Sequence, residues 1–267
     1  MKRSRVLLAA LCAVVTLPLL GVVGIATAEE SPWTTDEVFA PPAEMVVALE
    51  DVWHRTEGKN PALLTFPNYG FDQVMAGGGT VDYCVRWESS AEVSVTLRDQ
   101  IHTALSGEFN EWMAALSEDG QGWNGWPYPH VDVNVVGWAV ADRDVLKWTD
   151  DELPVTVGLM ADGVPICDEA TSPFTMSLWL TAGLPGGFGG DWGQHVGSEY
   201  LTGQVGGNPH ILTHEIGHTF GLDDFYDFTP TGQCCFIMNA GSAVDVTEFD
   251  KWMLRDFWRH LKDRYDL

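Results

Sequence analysis

The stretch His214-Glu215-Ile216-Gly217-His218-Thr219-Phe220-Gly221-Leu222-Asp223-Asp224 has the pattern H-E-x-x-H-x-x-G-x-x-D. Two histidines four apart on a helix lie on the same face, so His214 and His218 can occupy two corners of a tetrahedral zinc site. Gly221 can adopt the left-handed conformation that ends a helix, and the turn brings Asp224 back as a third ligand. Three protein ligands leave one position open for water and substrate, which indicates a catalytic site and not a structural one.

Glu215 directly follows the first histidine and points elsewhere, from where it can reach a zinc-bound water as general base. Asp223 and Asp227 are rivals of Asp224 for the third position. His210, one turn before His214, is an alternative ligand, a supporting group or an ordinary helix residue. H-E-x-x-H alone recurs by chance, and a helix with two histidines can be a plain surface or core helix. The ordered glycine and aspartate beyond it favour a metal site.

A second element, Phe236-Ile237-Met238-Asn239-Ala240-Gly241, places Met238 fourteen residues after Asp224. Together, the helix and this methionine resemble the metzincin metallopeptidases, and the aspartate ligand resembles their snapalysin-type variant. The specific resemblance covers residues 208–241. It implies one catalytic Zn²⁺, peptide-bond hydrolysis with Glu215 as the catalytic residue, and a Met-turn in which Met238 forms the floor beneath the histidines. An ordinary core methionine is the alternative interpretation. No tyrosine follows Met238 closely, so the oxyanion stabiliser is unassigned, with Tyr226 as a candidate.

The N-terminus has the features of a secretory signal peptide. Lys2, Arg3 and Arg5 precede an apolar run over residues 6–25, and Ala26-Thr27-Ala28 offers the small residues of a cleavage site. We therefore expect removal of residues 1–28 and a secreted protein, with a retained membrane anchor as the alternative. No other segment is apolar for long enough to span a bilayer.

Charge narrows the choice of partners. The formal charge of −24 becomes −27 after cleavage, because the signal peptide carries three basic residues and no acidic one. Such acidity disfavours nucleic acids and anionic membranes. We expect a monomer of 239 residues that acts on a protein or peptide substrate.

Four cysteines remain after cleavage, namely Cys84, Cys167, Cys234 and Cys235. An even number in a secreted chain predicts two disulfides. A bond between adjacent Cys234 and Cys235 demands strained geometry, so we expect each of them to pair with Cys84 or Cys167, in an order left open. These bonds would tie the loop between Asp224 and Met238 to the upstream part of the chain. Metal binding by the adjacent pair lacks a supporting C-x-x-C spacing.

The order of the predicted elements indicates an α+β fold. Residues 29–79 read as a leader that is a propeptide or a lid, and residues 80–267 as the metallopeptidase domain. The resemblance implies a mixed twisted sheet, a long helix, a zinc-binding helix and a small helical C-terminal lobe. The predicted elements are strands near 81–87, 131–140, 155–159 and 176–181, and helices over 44–54, 91–116, from 208–209 and over 247–262. The glycine-rich residues 184–193 either border the cleft or form a flexible connection.

A secreted carbohydrate- or polymer-binding module is the alternative function, alone or combined with the peptidase. The chain has twelve tryptophans, and Trp123, Trp126 and Tyr128 cluster in a loop rich in glycine and proline. Exposed aromatic rings of this kind can stack on sugars, whereas secreted proteins also bury tryptophans in their cores. A binding module has no need of Glu215 or of an open metal position.

Overall fold

The computed structural model describes residues 39–118 and 120–267. The predicted signal peptide and residues 29–38 of the predicted leader lie outside the described residues. None of the helices in these two described ranges has both the length and the apolar character needed to cross a bilayer.

Within residues 39–118 and 120–267, the fold consists of six α-helices and a mostly parallel sheet. Ser94 caps the long helix α3 by accepting from the N–H of Leu97, and Thr247 and Asp250 form the predicted capping box of α6. The long helix predicted over residues 91–116 is shorter at both ends, because it begins only after its cap Ser94 and its last three residues form a 3₁₀ turn at Ala114–Leu116. The helices are α1 (Val46–Lys59), α2 (Gly70–Ala76), α3 (Val95–Met113), α4 (Ser198–Gln204), α5 (His210–Thr219) and α6 (Glu248–Leu261).

The main sheet has six strands in the order β5-β4-β1-β8-β10-β9. Neighbouring strands are parallel except β9, which pairs antiparallel with β10 and forms an edge of the sheet. The predicted α+β class with a mixed sheet is confirmed. The strands are β1 (Thr80–Glu88), β2 (Ser117–Glu118), β3 (Gln121–Gly122), β4 (Asp132–Val140), β5 (Val155–Val157), β6 (Met160–Ala161), β7 (Val164–Pro165), β8 (Met176–Thr181), β9 (Gly187–Gly190) and β10 (Gly193–Gly197).

Helix α3 joins the sheet to the helix that carries the histidines. Its buried stripe recurs every three or four residues, at Ile101, Leu105, Phe109 and Trp112. The indole N–H of Trp112 donates to the carbonyl of Thr213 on α5 over 2.8 Å. Helix α5 also lies against β9 and β10. The position of α5 is therefore fixed from two sides.

Residues 39–79 belong to the same compact unit as the sheet. In α1, Leu49 and Trp53 are buried, and the Trp53 ring stacks on His260 of α6 at 3.7 Å. Phe71 of α2 is fully buried, with its ring 5.0 Å from that of Phe220 at the end of α5. Removal of this segment would expose these contacts. Its interpretation as a propeptide or lid stays a prediction.

The predicted disulfide pairing is wrong. Cys84 on β1 is bonded to Cys167, and both are buried. Cys234 and Cys235 are exposed and do not reach either of them. The segment after β7 returns to β1, so the two buried cysteines come together through the chain topology, which spacing along the sequence does not reveal.

Candidate metal centre and active site

The two histidines of the motif converge as their spacing predicts. His214 and His218 project from the same face of α5, with their Nε2 atoms 3.2 Å apart and their rings nearly perpendicular at 88°. His214 is only 6% exposed. The helix therefore presents two imidazole nitrogens to one point at the floor of a cleft.

Backbone carbonyls hold both rings through their other nitrogens. His214 Nδ1 lies 2.7 Å from the carbonyl oxygen of Ile237, and His218 Nδ1 lies 2.7 Å from that of Leu222. A carbonyl oxygen can only accept, so each Nδ1 carries the proton and donates it. In the neutral tautomer, each Nε2 then presents a lone pair, as a metal-ligating histidine does.

Asp224 approaches the same point. Gly221 has a φ of 85°, so α5 ends in the predicted left-handed turn. The Oδ1 atom of Asp224 lies 3.1 Å from Nε2 of His214 and 3.6 Å from Nε2 of His218. Asp224 is therefore the acidic residue that completes the pair.

Both rivals of Asp224 are occupied by basic residues of α1. Lys59 pairs with Asp223 and Arg55 pairs with Asp227. Each ion pair turns its aspartate toward α1. The same two contacts anchor the loop that follows α5 on both sides of Asp224.

The three donor atoms fit a tetrahedral metal ion. Bonds of about 2.0–2.1 Å at tetrahedral angles place neighbouring ligand atoms about 3.3 Å apart. The observed separations of 3.1, 3.2 and 3.6 Å bracket that value. Glu215 also lies near, with Oε2 3.8 Å from Nε2 of His218, and can join a metal-binding group with the two histidines. The shorter distances favour Asp224 as the ligand and leave Glu215 beside the site.

Glu215 is buried, and its position depends on β9. A Cβ atom at Gly187 would lie 2.7 Å from Oε1 of Glu215, and one at Gly189 would lie 2.0 Å from its carbonyl oxygen. Burial raises the pKa of Glu215 more than the neighbouring histidines lower it. The glycine-rich residues thus include an edge strand that borders the cleft, whereas a role for residues 184–193 in gripping substrate side chains stays a prediction.

Met238 lies directly under α5. A Cβ atom at Gly217 would be 2.3 Å from Sδ of Met238, whose side chain is fully buried. Asp250 of α6 fixes the turn, because its carboxylate accepts from the N–H groups of Ile237 at 2.9 Å and Met238 at 3.2 Å. Sequence reasoning identified Asp250 only as a capping residue and missed this second role. The carbonyls of Ile237 and Leu222 carry no sequence signal at all.

An open cavity of about 440 Å³ adjoins the candidate metal centre. His214 and Glu215 form one wall, and Ile211 and Ile237 contribute apolar surface. Tyr226 stands at its rim and is 73% exposed. Partial desolvation, followed by the negative charge of Asp224, raises the pKa of the Tyr226 phenol.

The remaining predicted site residues do not join the three converging side chains. His210 lines the cavity, and its Nδ1 is 3.2 Å from Nε2 of Gln204; its ring is not among the three groups that converge. Trp123 and Trp126 are buried, at 4% and 1% exposure, so their ring faces offer no platform for sugars. Comparisons of the chain with protein-family models, with curated proteins and with solved structures found no match.

Proposed function

We propose that this chain is a secreted zinc-dependent endopeptidase, similar to the metzincins in its helix, third ligand and Met-turn. One observation supports the proposal above all. Three electron-pair donors, Nε2 of His214, Nε2 of His218 and Oδ1 of Asp224, lie within 3.6 Å of one another. With both Nδ1 protons directed at carbonyls, these atoms repel one another unless a cation lies between them. Nitrogen and carboxylate ligands at this spacing suit Zn²⁺.

Bound zinc would supply Lewis acidity toward a water molecule and toward the scissile carbonyl. Glu215 would act as the proton carrier beside it. Its burial raises its pKa above the ordinary value for a glutamate, which suits a group that must both accept and return a proton. Glu215 takes the proton of the attacking water and passes it to the nitrogen of the leaving amine.

Two features of the cleft favour a peptide as the substrate. Strand β9 is at the edge of the sheet and passes directly beside Glu215, so an extended peptide can hydrogen-bond to its outer side. The adjoining cavity combines apolar walls with the polar metal centre, and can take a side chain next to the scissile bond. Tyr226, at the rim and beside Asp224, is the residue that we propose as the donor to the developing oxyanion.

Substitution of Glu215 by glutamine tests the proposal. Glu215→Gln keeps the shape and removes the base, so we expect one zinc per chain, normal unfolding and a loss of hydrolysis of about 10²–10⁴-fold. The readouts are metal content by elemental analysis and cleavage of a mixed peptide library, with and without a chelator. Glu57→Gln, an exposed change on α1, is the matched control and should leave cleavage unchanged.

Two outcomes would contradict the proposal. The first is a Glu215→Gln variant that holds zinc and cleaves peptides within a few-fold of the unmodified protein. The second is a folded protein that binds no zinc at a metal concentration well above that of the chain.

A further inference from the structure

Cys234 and Cys235 lie together on the surface of the loop between Asp224 and Met238. Both are exposed, and their Sγ atoms are 2.6 Å apart, well inside the separation of two non-bonded sulfur atoms. In extended chain, adjacent side chains point to opposite sides. Here Cys235 has a φ of 63°, a left-handed conformation that non-glycine residues rarely adopt. This unusual backbone brings the two sulfur atoms together.

Contacts on both sides of the pair hold the backbone in this form. Before it, Thr231 donates its hydroxyl proton to Asp51 over 2.6 Å, and the Gln233 amide donates to the carbonyl of Glu44. After it, Phe236 is fully buried, with its ring 5.1 Å from that of Phe225 and 5.1 Å from that of Phe249. The two cysteines are therefore presented to each other by anchored neighbours and not by a free loop.

Within the chain, each of these two cysteines has only the other as a possible disulfide partner. Cys84 and Cys167 are already bonded to each other and buried, and Cys12 lies within the predicted signal peptide. Exposed thiols that touch are readily oxidised outside the cell, where disulfides persist. The expected product of that oxidation is a bond between neighbours.

We propose that Cys234 and Cys235 form a vicinal disulfide, a redox-sensitive modification site on the surface of the protein. The oxidant is a disulfide, either of a low-molecular-weight thiol or of an oxidoreductase. One cysteine thiolate attacks a sulfur of that disulfide and displaces one thiolate, which gives a mixed disulfide. The second cysteine thiolate attacks the protein sulfur of the mixed disulfide and displaces the other thiolate. The pair loses two electrons and two protons, and the oxidant is reduced to two thiols.

The position gives this bond a consequence. Because it is exposed, a mild reductant reaches it before the buried Cys84–Cys167 bond. Cys235 is two residues from Ile237, whose carbonyl holds the ring of His214. Opening of the disulfide releases the constraint on Cys235 next to that support. The proposal itself is independent of whether the chain is a peptidase.

Peptide mapping of the full secreted protein tests the proposal. The protein is harvested in the presence of N-ethylmaleimide without reductant, digested and analysed by mass spectrometry. We expect an unlabelled peptide that contains both cysteines and is two hydrogen masses lighter than the dithiol form. Brief treatment with a low concentration of dithiothreitol should then add two labels at Cys234 and Cys235 and none at Cys84 or Cys167.

Single substitutions provide the controls. Cys234→Ser and Cys235→Ser each leave one exposed thiol, so each should take up one label without reduction or form a dimer that reductant separates. The proposal is overturned if the unreduced, folded protein carries labels on both Cys234 and Cys235. It is also overturned if either cysteine is recovered bonded to Cys84, to Cys167 or to a second chain.

Discussion

Substitution of Gly217 by alanine tests the packing between helix α5 and Met238. Alanine in the interior of a helix is favoured over glycine by about 0.5–1 kcal/mol. Against this, the added Cβ at Gly217 would lie 2.3 Å from Sδ of Met238 and 2.8 Å from the ring of Trp112. Trp112 is fully buried and hydrogen-bonded to Thr213, so it cannot turn away easily. Met238 is flexible, but it can yield only by moving from beneath the helix.

The steric cost should exceed the gain in helix propensity. Overpacking of a well-filled core typically costs about 1–3 kcal/mol, so Gly217→Ala should lose about 1–2 kcal/mol of unfolding free energy in total. For a protein of this size, that corresponds to a fall in Tm of about 2–8 °C. Displacement of Met238 should also weaken zinc retention, since the floor beneath the histidines shifts.

Gly107→Ala is the matched control in the same chain. Gly107 lies inside α3, is exposed, and a Cβ atom there would meet nothing within 4 Å. It should leave stability unchanged or raise it by up to about 1 kcal/mol. Urea unfolding of both variants, with zinc and after chelation, measures the difference. If Gly217→Ala is as stable as Gly107→Ala, Met238 does not pack under α5 in the way described.

Three further predictions concern the metal centre and its support. Asp224→Ala should lose zinc while Asp227→Ala retains it, as measured by elemental analysis, and the opposite result would make Asp227 the ligand. Tyr226→Phe should lower kcat by tenfold or more, and by about 10²-fold if the phenol donates a full hydrogen bond to the oxyanion, with little change in KM. An unchanged kcat would exclude the oxyanion role. Burial raises the pKa of Glu108, which accepts from Thr213, to about 7. Because this pKa is higher in the folded protein than in the unfolded chain, the free energy of unfolding falls as pH rises toward 7. Glu108→Gln should therefore flatten this part of the plot of unfolding free energy against pH. An unchanged plot would contradict the prediction.

The convergence of His214, His218 and Asp224 could be predicted from the sequence because it depends on local geometry. Helical periodicity places the two histidines on one face, and a left-handed glycine directs the chain back within one turn. No long-range information enters either step. The same reasoning located Met238 only through its resemblance to a Met-turn, since nothing in its spacing says what lies above it.

The Cys84–Cys167 disulfide could not be predicted because it depends on which distant segments become neighbours. Cys84 and Cys167 are 83 residues apart and meet only after β7 returns to β1. The argument against a bond between Cys234 and Cys235 rested on strain in an ordinary backbone. The left-handed conformation of Cys235, held by neighbouring anchors, removes the premise of that argument.

The glycines of β9 show a similar limit. A stretch rich in glycine reads as irregular from propensity alone. Gly187 and Gly189 nevertheless lie in a strand, which pairs with β10. Glycine is needed at both positions because the backbone of β9 passes so close to Glu215 that a side chain there would collide with it. The need for glycine arises from Glu215, which comes 26 residues after Gly189 in the chain, and so lies outside any local pattern.

Helix α1 of the N-terminal segment influences which aspartate of the loop after α5 faces the two histidines. Arg55 and Lys59 of α1 each bind one of the two aspartates that compete with Asp224. Asp51, also on α1, accepts a hydrogen bond from Thr231 farther along the same loop. Single exposed ion pairs contribute at most about 1 kcal/mol each, so their effect is on the position of the loop more than on stability. A chain cleaved after residue 79 would lose all three contacts together with the buried face of α1. We therefore expect α1 to remain in the mature protein, where it holds the loop after α5 in place.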